Sequence, residues 1–553
     1  MANLYHETPD LRRRIAAVDW ARVLPGLGGE ASIDVAEGVE QIGLVLDLVG
    51  QIAADEIAPH AAEVDRQGAR LIDGCVVYAD ATQRQLRLLA EAGLMGFILP
   101  EEFGGLNLPV SAYTAAVELI SAADASLMTI FALQGCGETL HRFGDRALQE
   151  RHLPRLAAGE ITACMALTEP GAGSALGAVR TRARLQGNRW SVSGGKIFIT
   201  NGGADLLLVL ARTEADEGGK GLSLVAVERN DAVRVIRLEE KLGIHGSPTA
   251  QLEIDNALGD LLGKRGDGLY GVTMALMHHV RLEVAAQAVG IAQAAQTQAV
   301  RYASEREQFN RTIDRFAPVR TMLFENARQI ETARAILYAT TEVVDLRRGL
   351  RRTGANPGEL ERCDRLLDLL TPLSKFYACE IVNEVTSRAL QVHGGYGYTR
   401  DYPAERYFRD GRITNIYEGT SEIQAGAMIQ HLTNGGLAVL VEERLNRATE
   451  NGDGTLQGLQ DAYEILAAGL EAAGAADKLS QQGWARAFVE ATGELLGGLV
   501  LHNDGRSDER SATLAWTQAR LAMQKAVSAR TQETTSFADE TYEMIVAPYR
   551  RDA

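Results

Sequence analysis

The chain has 553 residues, 46% of them hydrophobic and 23% charged, and a formal net charge of −17. The length calls for about three or four domains, and the acidic balance excludes a broad nucleic-acid-binding face, which needs clustered Lys and Arg. Five scattered cysteines with no CxxC pair exclude a zinc site or disulfide framework and point to the reduced thiols of a cytoplasm. Apolar runs such as Leu206–Ala211 fall far short of the roughly 20 residues that span a bilayer. The opening "MANLYHETPDLRRR" has early acids and no apolar core, so neither a secretory signal nor a membrane segment is expected.

Residues 1–160 read as a helical domain. Apolar positions recur at three and four in the stretches from Val39 and from Ala81. The loop Leu99–Pro109, with two prolines and a Gly pair, interrupts them. Residues 161–270 carry short β-rich runs, which we read as separated by Gly-Gly and Asn-Gly turns, predicting an antiparallel β-barrel. In the strand Lys196–Thr200 a period of two places Phe198 and Thr200 on one side. Residues 271–436 return to helical spacing. Met277, Val280, Val284, Ala288, Ile291 and Ala295 predict one proline-free helix from Met274 to Glu305, on the order of 45 Å long at ~1.5 Å per residue. Helices near Val319–Leu346 and Arg362–Gln391, and a fourth after a cap at Ser421, make a four-helix bundle. A linker, Thr449–Thr455, leads into further Ala- and Leu-rich helix, so residues 437–553 form an extra helical segment. The fold class expected is multidomain α+β.

No P-loop occurs, and no GxGxxG follows a strand. In "NIYEGTSEIQ" (Asn415–Gln424), Ser421 with Gln424 three residues on reads as a capping box. Glu418 is not needed for that cap. From this segment alone it is either a solvated acid favoured by the helix dipole or a base.

Taken together, "TEPGAGS", "ITNGG", "HGGYGYTRDYP" and "YEGTSEIQ" resemble, in order and in spacing over roughly residues 35 to 435, the acyl-CoA dehydrogenase family. Those enzymes introduce an α,β double bond into acyl-CoA thioesters with FAD. The resemblance implies a helical domain, a β-barrel and a four-helix bundle, with flavin between barrel and bundle and Glu418 as the base that takes the α-proton. The hydride leaves to flavin N5, and electrons pass to an electron-transfer flavoprotein. Some members carry the base on the long helix just before an arginine. Here that position is Val280, before Arg281, and valine takes no proton.

The resemblance further implies that Met165, Leu167, Thr168, Phe198 and Thr200 line the flavin. Arg306 and Phe309 reach the FAD of a neighbouring subunit, Gln391 and Gly395 match positions near the adenosine-diphosphate part of FAD, and Gly394 and Gly395 let backbone approach the ligand closely. Thr420 and Glu422 match FAD-contacting positions, Glu422 standing where glutamine is common. Ser174 and Arg281 match substrate-side positions, with Tyr417 and Gly419 flanking the base and touching the acyl chain. No metal is expected, and His278, His279 and His393 read as structural.

Two departures lie near the expected substrate. Ala175 stands where the family usually has Asp, and Met165 replaces a frequent aromatic. The segment beyond residue 436 resembles extensions in long-chain and bacterial subfamilies, where a homodimer is more common than a tetramer. Two rival readings remain: an acyl-CoA oxidase using oxygen, and a flavin-binding relative without dehydrogenase chemistry. The acyl group itself is not legible.

Overall fold

The computed structural model describes residues 2–28, 33–214, 218–354, 356–449, 454–504 and 509–531. Helices stand before and after a central sheet. In the first part, α1 (Val35–Ile52) buries Ile42, Leu46 and Val49 at helical spacing, and α2 (Asp80–Glu91) buries Leu89 on one face. A hairpin, β1 (Arg70–Ile72) with β2 (Cys75–Val77), sits between them, so this region is not wholly helical as expected. Three residues per strand carry too little alternation to register as a pattern.

Helix α3 (Val110–Ala123) is buried on nearly every side, as a helix apolar all round must be. Its N-terminus docks on a carboxylate from the bundle: Val110 N–H and Ser111 N–H donate to Asp345 at 2.6 and 2.9 Å. Two short helices follow, α4 (Ala125–Phe131) and α5 (Gln134–Phe143).

The sheet has seven strands: β3 (Ala163–Ala166), β4 (Arg182–Gln186), β5 (Arg189–Thr200), β6 (Leu206–Arg212), β7 (Leu222–Glu228), β8 (Val233–Leu238) and β9 (Thr249–Leu262). Most pairings are antiparallel, but β3 and β4 each meet β6 in parallel, so the sheet is mixed. The expected turn at Gly194–Gly195 lies inside β5, where a register shift falls between Val192 and Gly194. A Cβ on Gly194 would sit 2.8 Å from Thr181 Cα, so the glycine permits close packing rather than a turn. The turn between β4 and β5 is Gly187–Asn188 instead. A second shift, between Lys196 and Ile199, interrupts the simple period of two. There Phe198 takes a φ of 61° and stands 60% exposed, while Thr200 is half-buried.

The long helix α6 runs Met274–Glu305, as its spacing predicts. After it come α7 (Ala317–Thr353), α8 (Pro357–His393), the short α9 (Ala404–Gly411) and α10 (Ser421–His431). Helix α7 is locked to α3 by a buried pair, with Arg334 donating to Glu118 at 2.6 Å.

Beyond α10 the extension folds as α11 (Leu437–Thr449), α12 (Gly454–Gly474), α13 (Lys478–Asp504) and α14 (Glu509–Thr531). Residues 450–453 of the expected linker lie outside the described residues. The extension packs on the bundle where Gly493 and Gly497 of α13 lie against Tyr377 and Thr332, and Phe488, Leu495, Leu496 and Leu499 of the same helix are fully buried. Its polar hub is Arg328 of α7, which donates to Glu494 at 3.0 Å and to Gln518 at 2.6 Å. Among the described residues no helix is long and apolar enough to cross a membrane.

Candidate active site

The segment between α9 and α10 carries Glu418. Its backbone enters the left-handed region, φ 55° at Glu418 and 88° at Gly419. For a non-glycine residue that costs about 1–2 kcal/mol, so the surroundings must hold it. Lys375 Nζ donates to Gly419 O at 2.6 Å, and Gln424 Nε2 donates to Glu418 O at 3.3 Å. The Tyr417 hydroxyl donates to Gln287 Oε1, and Gln287 in turn donates to Ala125 O at 3.1 Å. The cap of α10 is Thr420, whose hydroxyl accepts Ile423 N–H at 3.3 Å. Ser421, expected in that role, instead donates to Glu380 Oε1 at 2.5 Å, and Gln424 serves the loop carbonyls rather than a capping box.

Glu418 is half-buried. Burial raises its pKa from the usual carboxylate value to about 7; Arg281 and Lys375 oppose the rise and Glu283 adds to it. The group therefore titrates near neutrality, as a general base at physiological pH must. Burial likewise lowers Arg281, with Glu418 pulling it back. The Arg281 Nε is buried with no hydrogen-bond partner, a donor left for something other than protein. Val280, before it, is buried. Tyr417, Gly419 and Arg281 thus gather about Glu418.

On the sheet side, Leu167 is buried while Met165 and Thr168 are half-buried at the end of β3. The stretch after them is pinned by a buried ion pair. Lys196 Nζ donates to Glu169 at 2.8 Å, to Leu167 O at 2.9 Å and to Leu210 O at 2.8 Å. Glu169 also accepts Arg180 N–H and Thr181 N–H, at 2.7 and 2.9 Å. Three acceptors around one Nζ satisfy an ammonium's three donors. Ser174 and Ala175 are exposed on the turn beyond.

A second cluster lies at the far end of α6. A small hairpin, β10 (Glu307–Gln308) and β11 (Arg311–Thr312), carries Phe309 at its tip, 88% exposed. The Arg306 guanidinium lies over Tyr396 at 5.9 Å, beside Gly394 and Gly395, where a Cβ would meet nothing within 4 Å. Gln391 is exposed in the last turn of α8, just before them. Arg281 and Arg306 are separated along α6 by roughly 35–40 Å at 1.5 Å per residue, so these residues do not join Glu418 within one chain. Glu422 does not stand free: it pairs with Arg486 of the extension at 2.5 Å.

Several buried groups near the loop escaped the sequence reading. Lys375 and Gln287 are polar residues at core positions of α8 and α6; a lone polar side chain inside an apolar helical pattern was the available signal. His279 lies between two acids, its Nε2 3.2 Å from Glu283 and its Nδ1 3.4 Å from Glu138, and stacks on Tyr113 at 6.0 Å. His278 is lowered to about 4, mainly by burial. His393 bonds Ala389 O at 2.7 Å and stacks on Tyr302, a structural role. A cavity of ≈ 240 Å³ is lined by His278 and His279 of α6, Glu138 and Arg142 of α5 and Arg347, Arg348 and Arg351 of α7. Among the described residues no group of His, Cys, Asp and Glu is arranged to hold a metal ion.

A helical part, a mixed sheet and a helical bundle, with a half-buried carboxylate of raised proton affinity near an arginine of the long helix, make a site suited to an enzyme that takes a proton from its substrate. Comparison with known proteins agrees. The descriptions "Acyl-CoA dehydrogenase, N-terminal domain", "middle domain" and "C-terminal domain" match residues 40–160, 164–257 and 266–433. The probable acyl-CoA dehydrogenase FadE25 of Mycobacterium tuberculosis is 36% identical over 413 residues, 74% of this chain and 99% of the relative. A chain in the structure of the electron transferring flavoprotein of Acidaminococcus fermentans is 34% identical, with a TM-score of 0.63 over 71% of this chain and 98% of that one. Caenorhabditis elegans ACDH-11, solved in complex with C11-CoA, is 19% identical, but its fold covers 100% of this chain and 96% of its own at a TM-score of 0.80. The chain belongs to the acyl-CoA dehydrogenase family and is an enzyme of that class.

Proposed function

We propose that the protein is an FAD-dependent dehydrogenase that converts an acyl-CoA to its trans-2-enoyl-CoA with Glu418 as the base, and that an electron-transfer flavoprotein takes its electrons. The observation that carries this reading is a carboxylate titrating near 7 on a strained loop, near an arginine whose buried Nε has no partner. A flavin fits the residues present. Phe198 offers an exposed ring and Thr200 is half-buried on the same strand, and the backbone at Gly394 and Gly395 is open to close approach. Met165, Leu167, Thr168 and Thr420 are the residues of this chain that would hold the ring system. When bound, FAD supplies the hydride acceptor.

The protein's own residues account for the proton. Glu418 takes it from the carbon next to the thioester, and the cations of Arg281 and Lys375 stabilise the resulting charge distribution. Tyr417 and Gly419 fix where the carboxylate points. Ser174 and Arg281 meet the thioester end. Arg306 and Phe309 lie roughly 35–40 Å along α6 from Arg281, with Gly394 and Gly395 beside Arg306 at Tyr396 and Gln391 a turn before them, which supports a homodimer in which these residues serve the partner's cofactor.

The test is anaerobic titration of the yellow protein with a panel of linear, branched, cyclic, aromatic and dicarboxylic acyl-CoAs. Bleaching by at least one is expected; bleaching by none overturns the reading, and peroxide formation without an added acceptor replaces it with an oxidase. A related expectation concerns Lys375→Met. Losing the cation raises the proton affinity of Glu418, so the alkaline rise in flavin reduction moves to higher pH. Losing the bond to Gly419 O costs about 1.5–3 kcal/mol, read as a lower denaturation midpoint.

A further inference from the structure

The extension reaches the loop that carries Glu418. Glu380 of α8 accepts Asn415 Nδ2 at 3.1 Å and Ser421 Oγ at 2.5 Å on one carboxylate oxygen. That oxygen therefore ties together the two ends of the segment that bends at Glu418 and Gly419. The other oxygen accepts Arg486 of α13 at 2.8 Å. The same guanidinium donates to Glu422 at 2.5 Å and lies 5.4 Å from the Phe376 ring centroid, one turn before Glu380. Behind Arg486, Glu490 stands 3.7 Å away and is itself held by Lys525 of α14 at 2.7 Å. One arginine thus bonds the carboxylate that closes the loop and the first turn of the helix that follows it.

We propose that Arg486 is a positioning residue for the reaction: the C-terminal extension sets the geometry of the Glu418 loop through Glu380 and Glu422. The proposal rests on Glu418 being the base. Burial alone would raise the proton affinity of Glu380, but the hydrogen bonds from Arg486 and Ser421 and the charge of Arg486 hold it below the ordinary carboxylate range. It is thus an anion able to accept three donors at once. Without Arg486 that anion lacks its cation, and the shared oxygen no longer has a fixed orientation. A reacting group misplaced by about 1 Å costs about 100-fold in rate. The extension is thereby more than a cover on the bundle, and Glu422 is the acid that complements Arg486.

The test uses the full-length holoenzyme with Arg486→Gln, Arg486→Lys and Glu380→Gln. Arg486→Gln is expected to keep its FAD and to lower the rate constant of flavin reduction at saturating acyl-CoA by about 10- to 100-fold, with an altered pH profile. Arg486→Lys should recover part of the loss, and Arg486→Gln combined with Glu380→Gln should be no slower than the slower single variant, because both act on one element. Amide exchange across residues 412–421 should accelerate by about tenfold or more in Arg486→Gln. Wild-type rate and pH profile overturn the proposal. So does a slower rate with amide exchange across residues 412–421 unchanged from wild type, because the loop is then not loosened, whereas exchange accelerated throughout the chain makes the defect one of general stability. If the parent protein reduces with no acyl-CoA, it is the reading of Glu418 as base that has failed; faster exchange in the variant then still identifies the brace, and unchanged exchange rejects it.

Discussion

Glu418→Gln is expected to keep FAD and to lose flavin reduction by acyl-CoA by about 10²–10⁴-fold, the usual weight of a positioned base. Stopped-flow reduction under anaerobic conditions measures it, and a variant that bleaches at the parent rate removes the base assignment. The pH dependence follows from the same group. The base must be ionised, so the parent rate rises as pH passes through about 7 and levels off above. Stability moves the other way. With a folded value near 7 against 4.5 for the free group, the folded state carries the cost of a poorly solvated carboxylate above pH 7, while the unfolded chain ionises freely. Below about 4.5 both are neutral and the cost vanishes. At ~1.4 kcal/mol per pH unit, less an allowance for solvent at the open side, the penalty is about 2–3 kcal/mol. Glu418→Gln should therefore resist denaturant better than the parent at pH 8 and equally at pH 4.

The second large effect is at Glu169. Glu169→Gln strips the countercharge from a lysine with no exposed side chain, and breaking a buried pair on one side costs about 3–5 kcal/mol. The damage falls where Lys196 also fixes the Leu167 carbonyl, so flavin retention should drop along with the urea midpoint. Adding Lys196→Met to Glu169→Gln removes the orphaned charge and should regain much of the loss. If Glu169→Gln unfolds at the parent's midpoint and keeps its flavin, the pair does not hold this edge of the sheet.

The elements that were legible are those whose signal is local. Helix α6 could be bounded from its spacing because apolar residues recur at three and four with no proline between Met274 and Glu305, even though Leu282–Ala292 is buried on every side. The parallel contacts of β3 and β4 with β6 could not be read, since they join residues distant in sequence. The cap of α10 was misread because Thr420 and Ser421 are chemically equivalent for that task. The choice is made by Glu380, 41 residues upstream, which claims the serine. Glu418 itself was found through the motif around it, whereas its electrostatic setting was not. Lys375, Glu283 and Gln287 come from other helices, and only the packed bundle brings their charges and dipoles to the loop.

The Arg328 hub has a consequence for how the protein is made. Its partners Glu494 and Gln518 lie 166 and 190 residues later in the chain. At about 5–20 residues per second on the ribosome, α7 emerges roughly ten to forty seconds before them. During that interval the bundle face that will receive Gly493 and Gly497 is uncovered and its arginine lacks these two partners. The nascent chain therefore passes through a sticky, half-assembled stage whose duration is set by translation speed, and faster elongation or a bound chaperone shortens or shields it.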